Sequence, residues 1–256
     1  MNDRRMQDTP LMQASGLTRR FGGLVAVDGV SIDLHRGQVH AVIGTNGAGK
    51  STLINLLSGE IPLSSGQIRL DGKDITGMSQ PRRARSGVGR SYQRTTIFPA
   101  LSVLENCRLA AQAARQKPWT LWQGAQSCRA SLEAARAALD ATGLSDALHL
   151  NAGSMSHGKK RQLEIAMCLA TAPQVLLLDE PLAGMGAEES ERMLAMLERL
   201  RPGHAILLVE HDMDAVFRVA DRITVMVNGA VIASGTPADV RSSPEVQRAY
   251  LGDAHA

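Results

Sequence analysis

The chain has 256 residues, which at ~150 residues per domain allows one large domain or two small ones. Its 44% apolar and 21% charged residues exclude a disordered chain, a collagen and a coiled coil. A net charge of +3 with only seven Phe, Tyr and Trp argues against a nucleic-acid partner, and no apolar run reaches the ~18 residues that would cross a membrane.

Residues 1–10 read as a flexible polar tail without an apolar leader segment, so a cytoplasmic protein is expected. Residues 11–42 alternate short apolar runs with turns, as strands do, and Val39 to Ile43 is a strand that ends at Gly44. Lys50 to Ser58 has the spacing of a helix with Leu53, Ile54, Leu56 and Leu57 inward. Gln67 to Leu70 reads as a strand before the turn Asp71-Gly72. The cluster Arg82, Arg83, Arg85 and Arg90 reads as a solvated helix face.

From about residue 101 the texture becomes helical. Ser102 and Glu105 form a capping box, and 103–117 and 127–142 are Ala-rich with helical spacing. Between them lies a loop with Trp119 and Trp122, which reads as packing on itself, or else as resting on a membrane partner or lipid headgroups. Strand texture returns at Val175–Leu178, Ala205–Val209, Ile223–Val227 and Ala230–Ser234, with a helix over 187–200 and a turn at Gly229. Thr236-Pro237 and Ser243-Pro244 each place Pro first in a helix behind a capping hydroxyl. Strands alternating with helices predict an α/β domain with a largely parallel sheet, into which 95–165 inserts as a helical segment. Cys107, Cys128 and Cys168 are odd in number and far apart, so reduced thiols are expected, with Cys168 in the core.

Gly44-Thr45-Asn46-Gly47-Ala48-Gly49-Lys50-Ser51 fits G-x-x-x-x-G-K-[ST] at every position, between an apolar strand and a helix. Such a loop wraps phosphates with backbone N–H groups and adds the positive end of the helix dipole. Lys50 would reach the β- and γ-phosphates, and the Ser51 hydroxyl, next to Thr52, would ligate Mg²⁺. Downstream, Val175 to Leu178 leads into Asp179 and Glu180. A buried strand would carry both carboxylates to its C-terminal edge, where open α/β sheets bind ligands. Asp179 is placed to hold Mg²⁺ through water and Glu180 to orient or deprotonate the attacking water. Phosphoryl transfer asks mainly for such positioning and charge neutralisation.

The two motifs together define a P-loop NTPase, and the segments around them narrow it. Met155-Ser156-His157-Gly158-Lys159 resembles the signature of ATP-binding cassette (ABC) proteins, Gln93 resembles their Q-loop, and His211 their switch histidine. Phe21, before Gly22-Gly23, resembles the aromatic that stacks on adenine. The resemblance runs from about Leu11 to Leu251. It implies one cassette over 11–253: a mixed-sheet ATPase core with an antiparallel β-subdomain (11–94 and 166–253) and a helical subdomain (95–165) carrying the signature. It implies ATP and Mg²⁺, the metal held by Ser51, Gln93 and Asp179, with Glu180, His211 and Gln93 serving catalysis. Ser156 and Gly158 would bind the γ-phosphate of ATP held by an opposite subunit.

Four positions depart from the family pattern, among them Lys159, which replaces the usual Gln of the signature. Thr45 stands where many members have Pro, and Gly186 where Asp is common. His157 replaces a glycine, where it would crowd the facing nucleotide or help hold its phosphate. The stretches Val209 to Ala215, Ala233 to Pro237 and Pro244 to Gly252 are similar to one branch, the ATP-binding subunits of branched-chain amino-acid importers, which also serves urea, amides and aromatic acids. That resemblance implies two permeases, a second cassette of the same or a related kind, a periplasmic binding protein, and a place on the cytoplasmic face of the inner membrane. Arg94 to Leu101 would then push on a permease. A lipid or polysaccharide exporter cassette is the alternative.

Overall fold

A computed structural model describes residues 9–93, 96–115 and 129–251 of the chain. Trp119, Trp122, Arg94 and Cys128 lie outside the described residues, as does nearly all of the expected tail.

Two sheets carry the architecture. Strands β1 (Met12–Phe21), β2 (Leu24–Leu34), β4 (Ser65–Leu70) and β5 (Lys73–Asp74) form an antiparallel sheet in the order β2-β1-β4-β5. The second sheet comprises β3 (Gln38–Gly44), β6 (Val88–Arg90), β7 (Val175–Asp179), β8 (Ala205–Val209), β9 (Arg222–Val227) and β10 (Ala230–Gly235), in the order β10-β9-β3-β8-β7-β6. Its pairings are parallel except β9 with β10, so the sheet is mixed, as the resemblance implied.

The burial patterns explain the topology. β7 and β8 are buried at every residue, as strands covered on both faces must be, whereas β1 alternates. Helix α1 (Lys50–Ser58) drives Leu53, Ile54, Leu56 and Leu57 into the layer between the two sheets, with Leu17, Val30 and Ile68 on one side and Val42, Leu177 and Leu207 on the other. On the opposite face of the core sheet, α6 (Ala187–Leu200) lays Met193, Leu194, Met196 and Leu197 against Leu176, Leu178, Ile206 and Leu208.

Helix α2 (Gln80–Arg85) corrects the reading of the arginine cluster. Arg82 and Arg85 are exposed, but Arg83 is buried and its Nη1 donates to the carbonyls of Leu56 and Leu57 at 2.7 and 2.8 Å. Those carbonyls belong to the last turn of α1, where that of Leu56 also accepts from the amide of Gly59 at 3.2 Å, so Arg83 adds a cap to that helix from a distance. Arg90 is half-buried, with its side chain only 8% exposed.

Helices α3 (Val103–Arg115), α4 (Arg129–Ala141) and α5 (His157–Ala170) share a separate core of Val103, Cys107, Ala135, Leu139, Leu163 and Ala166. Ser102 accepts from the amide of Glu105 at 3.2 Å, one half of the expected capping box. α5 starts at His157, with Ser156 as its N-cap. α7 (Met213–Val219) is capped by Asp212, while α8 (Pro237–Ser242) and α9 (Pro244–Leu251) follow the two Pro signals. Cys107 and Cys168 are free and buried, and burial pushes both thiols up to about 12, so both are inert packing groups.

Candidate functional site

Parallel register brings the expected residues to one sheet edge. Val42 pairs with Val209, and Asp179 pairs with Val209 from the other side. The loop after β3, the acids at the end of β7 and the segment after β8 therefore leave the sheet side by side. Beyond β6, the amide of Ser91 donates to the carbonyl of Leu177, which carries Gln93 to the same edge.

A cleft of roughly 690 Å³ opens there. Phe21, Asn46, Gly47, Ala48, Gly49, Lys50, Ser51, Thr52, Gln93 and Glu180 line it. Gly44 and Thr45 lie beneath, their carbonyls accepting from the Lys50 ammonium at 2.7 and 3.0 Å. Burial lowers the pKa of Lys50, an effect opposed by the nearby carboxylates of Glu180 and Asp179. The loop glycines answer two different demands. A Cβ on Gly44 would stand 2.3 Å from the carbonyl oxygen of Met226, and one on Gly49 2.4 Å from that of Ala26, where φ is also +99°.

The acidic end of β7 is divided between a buried group and a reachable one. Asp179 is buried, with its amide donating to Ser91 Oγ at 3.3 Å and its Oδ2 3.7 Å from Arg90 Nη2. Burial raises its pKa, with Arg90 the strongest opposing influence and Glu180 adding to the rise. Arg90 is itself held by Asn55, Ser58 and Glu60 and lies 4.8 Å over the Tyr92 ring. Glu180 faces the cleft and accepts from Gln93 Nε2 at 3.2 Å. Its φ of +46° is one of four positive values at non-glycine residues among the described residues, strain of the kind that collects at functional sites.

Phe21 is 44% exposed at the mouth of the cleft, with the Arg19 guanidinium 4.5 Å over one face of its ring. Leu24, Val25, Ala26, Asn228 and Gly229 complete the lining, and sequence reasoning singled out only Gly229, as a turn. The missing signal is tertiary, since β2 and the 228–229 turn meet the loop only in the folded chain. Gly229 donates its amide to the carbonyl of Ala48 at 3.0 Å.

Three expected residues stand elsewhere. His211 does not line the cleft; its side chain is 62% exposed, with Nδ1 3.7 Å from Oε2 of the buried Glu210. Burial raises the pKa of Glu210 against the amides of Leu182 and His211, which donate to its carboxylate. Ser156 and Gly158 also lie outside the cleft, at the start of α5. His157 Nε2 is 3.2 Å from the carbonyl of Ala183, a contact that requires the proton on Nε2.

The expected Mg²⁺ donors, Ser51, Gln93 and Asp179, are all oxygen donors, which suits a hard cation. Among the described residues no group of three or more His, Cys, Asp or Glu is placed to cage a metal. That donor set fits a cation shared with phosphates rather than held by protein alone.

A glycine-lined loop that opens a helix beside a strand end bearing two acids defines a P-loop nucleotide-binding protein. The family described as "ABC transporter" matches residues 27–183, and that described as "Branched-chain amino acid ATP-binding cassette transporter" matches residues 230–256. The chain belongs to the ABC transporter family and is one of its ATP-binding cassettes, the family's ATPase component. It is 39% identical over 254 residues to the high-affinity branched-chain amino acid transport ATP-binding protein BraF of Pseudomonas aeruginosa, covering 96% of this chain and 99% of that one. It is 38% identical over 256 residues to LivG of Escherichia coli, a protein of the same description, with the same coverage. A nucleotide-free ATP-binding cassette from an ABC transporter superposes with a TM-score of 0.84 at 29% identity, covering 94% of this chain and 99% of that one. The ADP conformation of an ABC transporter cassette gives 0.82 at 29% identity, covering 95% and 99%.

Proposed function

We propose that this chain hydrolyses ATP to drive a membrane importer for branched-chain amino acids or related small solutes such as urea, amides or aromatic acids. The observation that carries the reading is the separation of the two phosphate-binding elements. The cleft holds the loop 44–51, Gln93 and Glu180, whereas Ser156 and Gly158 lie outside it. A cassette built this way needs the signature of a second copy, identical or related, to close over its ATP.

The core and β-subdomain (11–94 and 166–253) bind the nucleotide, and the helical subdomain (95–165) presents the signature. Phe21 and Leu24 offer an apolar face to adenine. The loop amides and Lys50 take the phosphates, Lys50 exchanging loop carbonyls for phosphate oxygens. Mg²⁺, held by Ser51, Gln93 and Asp179, would supply charge neutralisation on the β- and γ-phosphates. Glu180 orients the attacking water and accepts its proton, and Gln93 steadies the Glu180 carboxylate. His211, held by Glu210 at the same sheet edge, reaches the γ-phosphate when the pair closes.

No described helix is long and apolar enough to cross a membrane, so the transported solute must pass through other subunits. Two permeases and a periplasmic binding protein complete the assembly, which places this chain on the cytoplasmic face of the inner membrane. Thr96 to Leu101, with Phe98 51% exposed, is the surface that meets a permease. The relatives above are named for branched-chain amino acid transport, which supports this reading over the exporter alternative. Affinity purification from native membranes in mild detergent tests the reading. Two permeases, a second cassette and a membrane-stimulated ATPase are expected. Recovery with an envelope lipid exporter, or from the soluble fraction alone, would overturn it.

A further inference from the structure

Helix α5 begins under a carboxylate. Ser156 caps it, accepting from the amide of Lys159 at 3.4 Å, and the same hydroxyl donates to Glu189 Oε1 at 3.1 Å. Gly158 is buried beneath that side chain. An atom in the place of its missing Cβ would stand 2.6 Å from the Glu189 carboxyl carbon and 2.7 and 2.9 Å from the two oxygens. Glu189 itself sits in the first turn of α6 and is half-buried. His157, the expected obstacle, is turned aside onto the Ala183 carbonyl with its ring beside Gly184. The group covering the signature is therefore Glu189.

The N-terminus of a 14-residue helix favours an anion through its partial positive charge and free N–H groups. In the dimer proposed above, that place receives the γ-phosphate of the partner's ATP. Glu189 already holds the Ser156 hydroxyl and covers the face of Gly158, and a phosphate arriving there would meet a like charge at contact distance. We propose that Glu189 is a resident anion on the signature, an intramolecular stand-in for the γ-phosphate that raises the ATP concentration needed to close the pair. The proposal rests on the reading that this signature serves ATP in trans. Closure requires Glu189 to swing off Ser156.

Glu188 supplies the control. It is the neighbouring carboxylate, exposed and paired with Arg192 at 3.0 Å, away from the signature. The experiment uses the chain in its purified transporter complex in nanodiscs and reads the ATP concentration for half-maximal hydrolysis. Glu189→Gln keeps the shape of the side chain without its charge, and Glu189→Ala removes both. Each is expected to lower that concentration about fivefold, the low end of usual coupling between sites, while Glu188→Gln leaves it unchanged. An unchanged or higher value for both Glu189 variants would overturn the proposal, as would an equal fall with Glu188→Gln. Ser156→Arg separates the two readings: if hydrolysis survives it, the signature does not serve ATP in trans and the underlying reading fails.

Discussion

The Gln93 side chain donates from Nε2 to Oε2 of Glu180 at 3.2 Å and so ties the segment after β6 to the end of β7 across the cleft. Glu180→Gln preserves the size of the side chain but removes its charge and its basicity. Hydrolysis is expected to fall about 10²–10⁴-fold, the usual contribution of a positioned base. ATP affinity should stay near that of the parent, because Glu180 contributes no phosphate donor. Steady-state phosphate release and titration with a fluorescent ATP analogue check the two halves separately. Full hydrolysis in a preparation free of other ATPases would remove Glu180 from its role.

The loop glycines separate conformational cost from collision. Gly47 has φ +79° with nothing within 4 Å of an added Cβ, whereas Gly49 has φ +99° and the Ala26 carbonyl at 2.4 Å. Gly47→Ala should cost about 1–2 kcal/mol of stability from the left-handed backbone alone. Gly49→Ala adds a backbone collision and should cost at least about 2 kcal/mol more, with loss of nucleotide binding. Denaturant unfolding of both variants reads the difference, and equal costs would mean that β2 yields freely.

A one-way chain of hydrogen bonds crosses the two sheets at His40. Nδ1 lies 3.0 Å from the carbonyl of Asp33 and must donate, so Nε2 accepts from Thr224 Oγ1 at 2.8 Å. Thr224 then accepts from Ser234 at 3.0 Å, and Ser234 accepts from Arg222 Nε at 3.3 Å. Burial lowers the pKa of His40 from 6.5 to about 4, and the chain agrees, since a second ring proton would turn over each hydroxyl. Between these values the unfolded chain binds a proton that the folded chain refuses. The stabilisation is therefore complete above pH 6.5 and declines as pH falls to about 4, by about 3 kcal/mol. Urea midpoints measured between pH 7 and 4.5 should fall, and His40→Gln should flatten that slope. An unchanged slope would place the acid sensitivity elsewhere.

Glu164 and Arg161 are a buried pair 3.0 Å apart on α5 that grips the backbone around Gln93. Arg161 donates to the carbonyls of Tyr92 and Gln93, and Glu164 Oε1 accepts from the amide of Thr96 at 2.6 Å. Glu164→Ala leaves a buried cation and an orphaned amide and should cost about 3–5 kcal/mol. Exchanging the two residues restores an ion pair but puts a carboxylate against the carbonyls. Its hydrolysis should therefore stay low even if its melting temperature recovers. Recovery of both would reduce the pair to a helix staple.

Periodicity made the strands and most helices legible, because the information needed is local. α1 spans Lys50 to Ser58 as its spacing indicates, and β8 spans Ala205 to Val209. The phosphate loop and the acidic strand end were legible for the same reason, each being a contiguous run. Arg83 and Arg90 read as solvated because groups that draw them inward, the Leu56 and Leu57 carbonyls for Arg83 and Asn55, Ser58 and Glu60 for Arg90, lie 26 to 35 residues away in the chain. Glu189 carried no signal at all, since its contact with Ser156 spans 33 residues and two helices.

The phosphate loop is also one rung of a backbone ladder. Asp28 donates its amide to the carbonyl of Gly229 at 2.9 Å, and Gly229 donates to that of Ala48 at 3.0 Å. A nucleotide that tightens the loop must steady this ladder as far as β2. Amide hydrogen exchange at Asp28 and Gly229 should therefore slow when ATP is added. These two amides, already engaged with carbonyls, would report occupancy of a phosphate site to which neither contributes a donor.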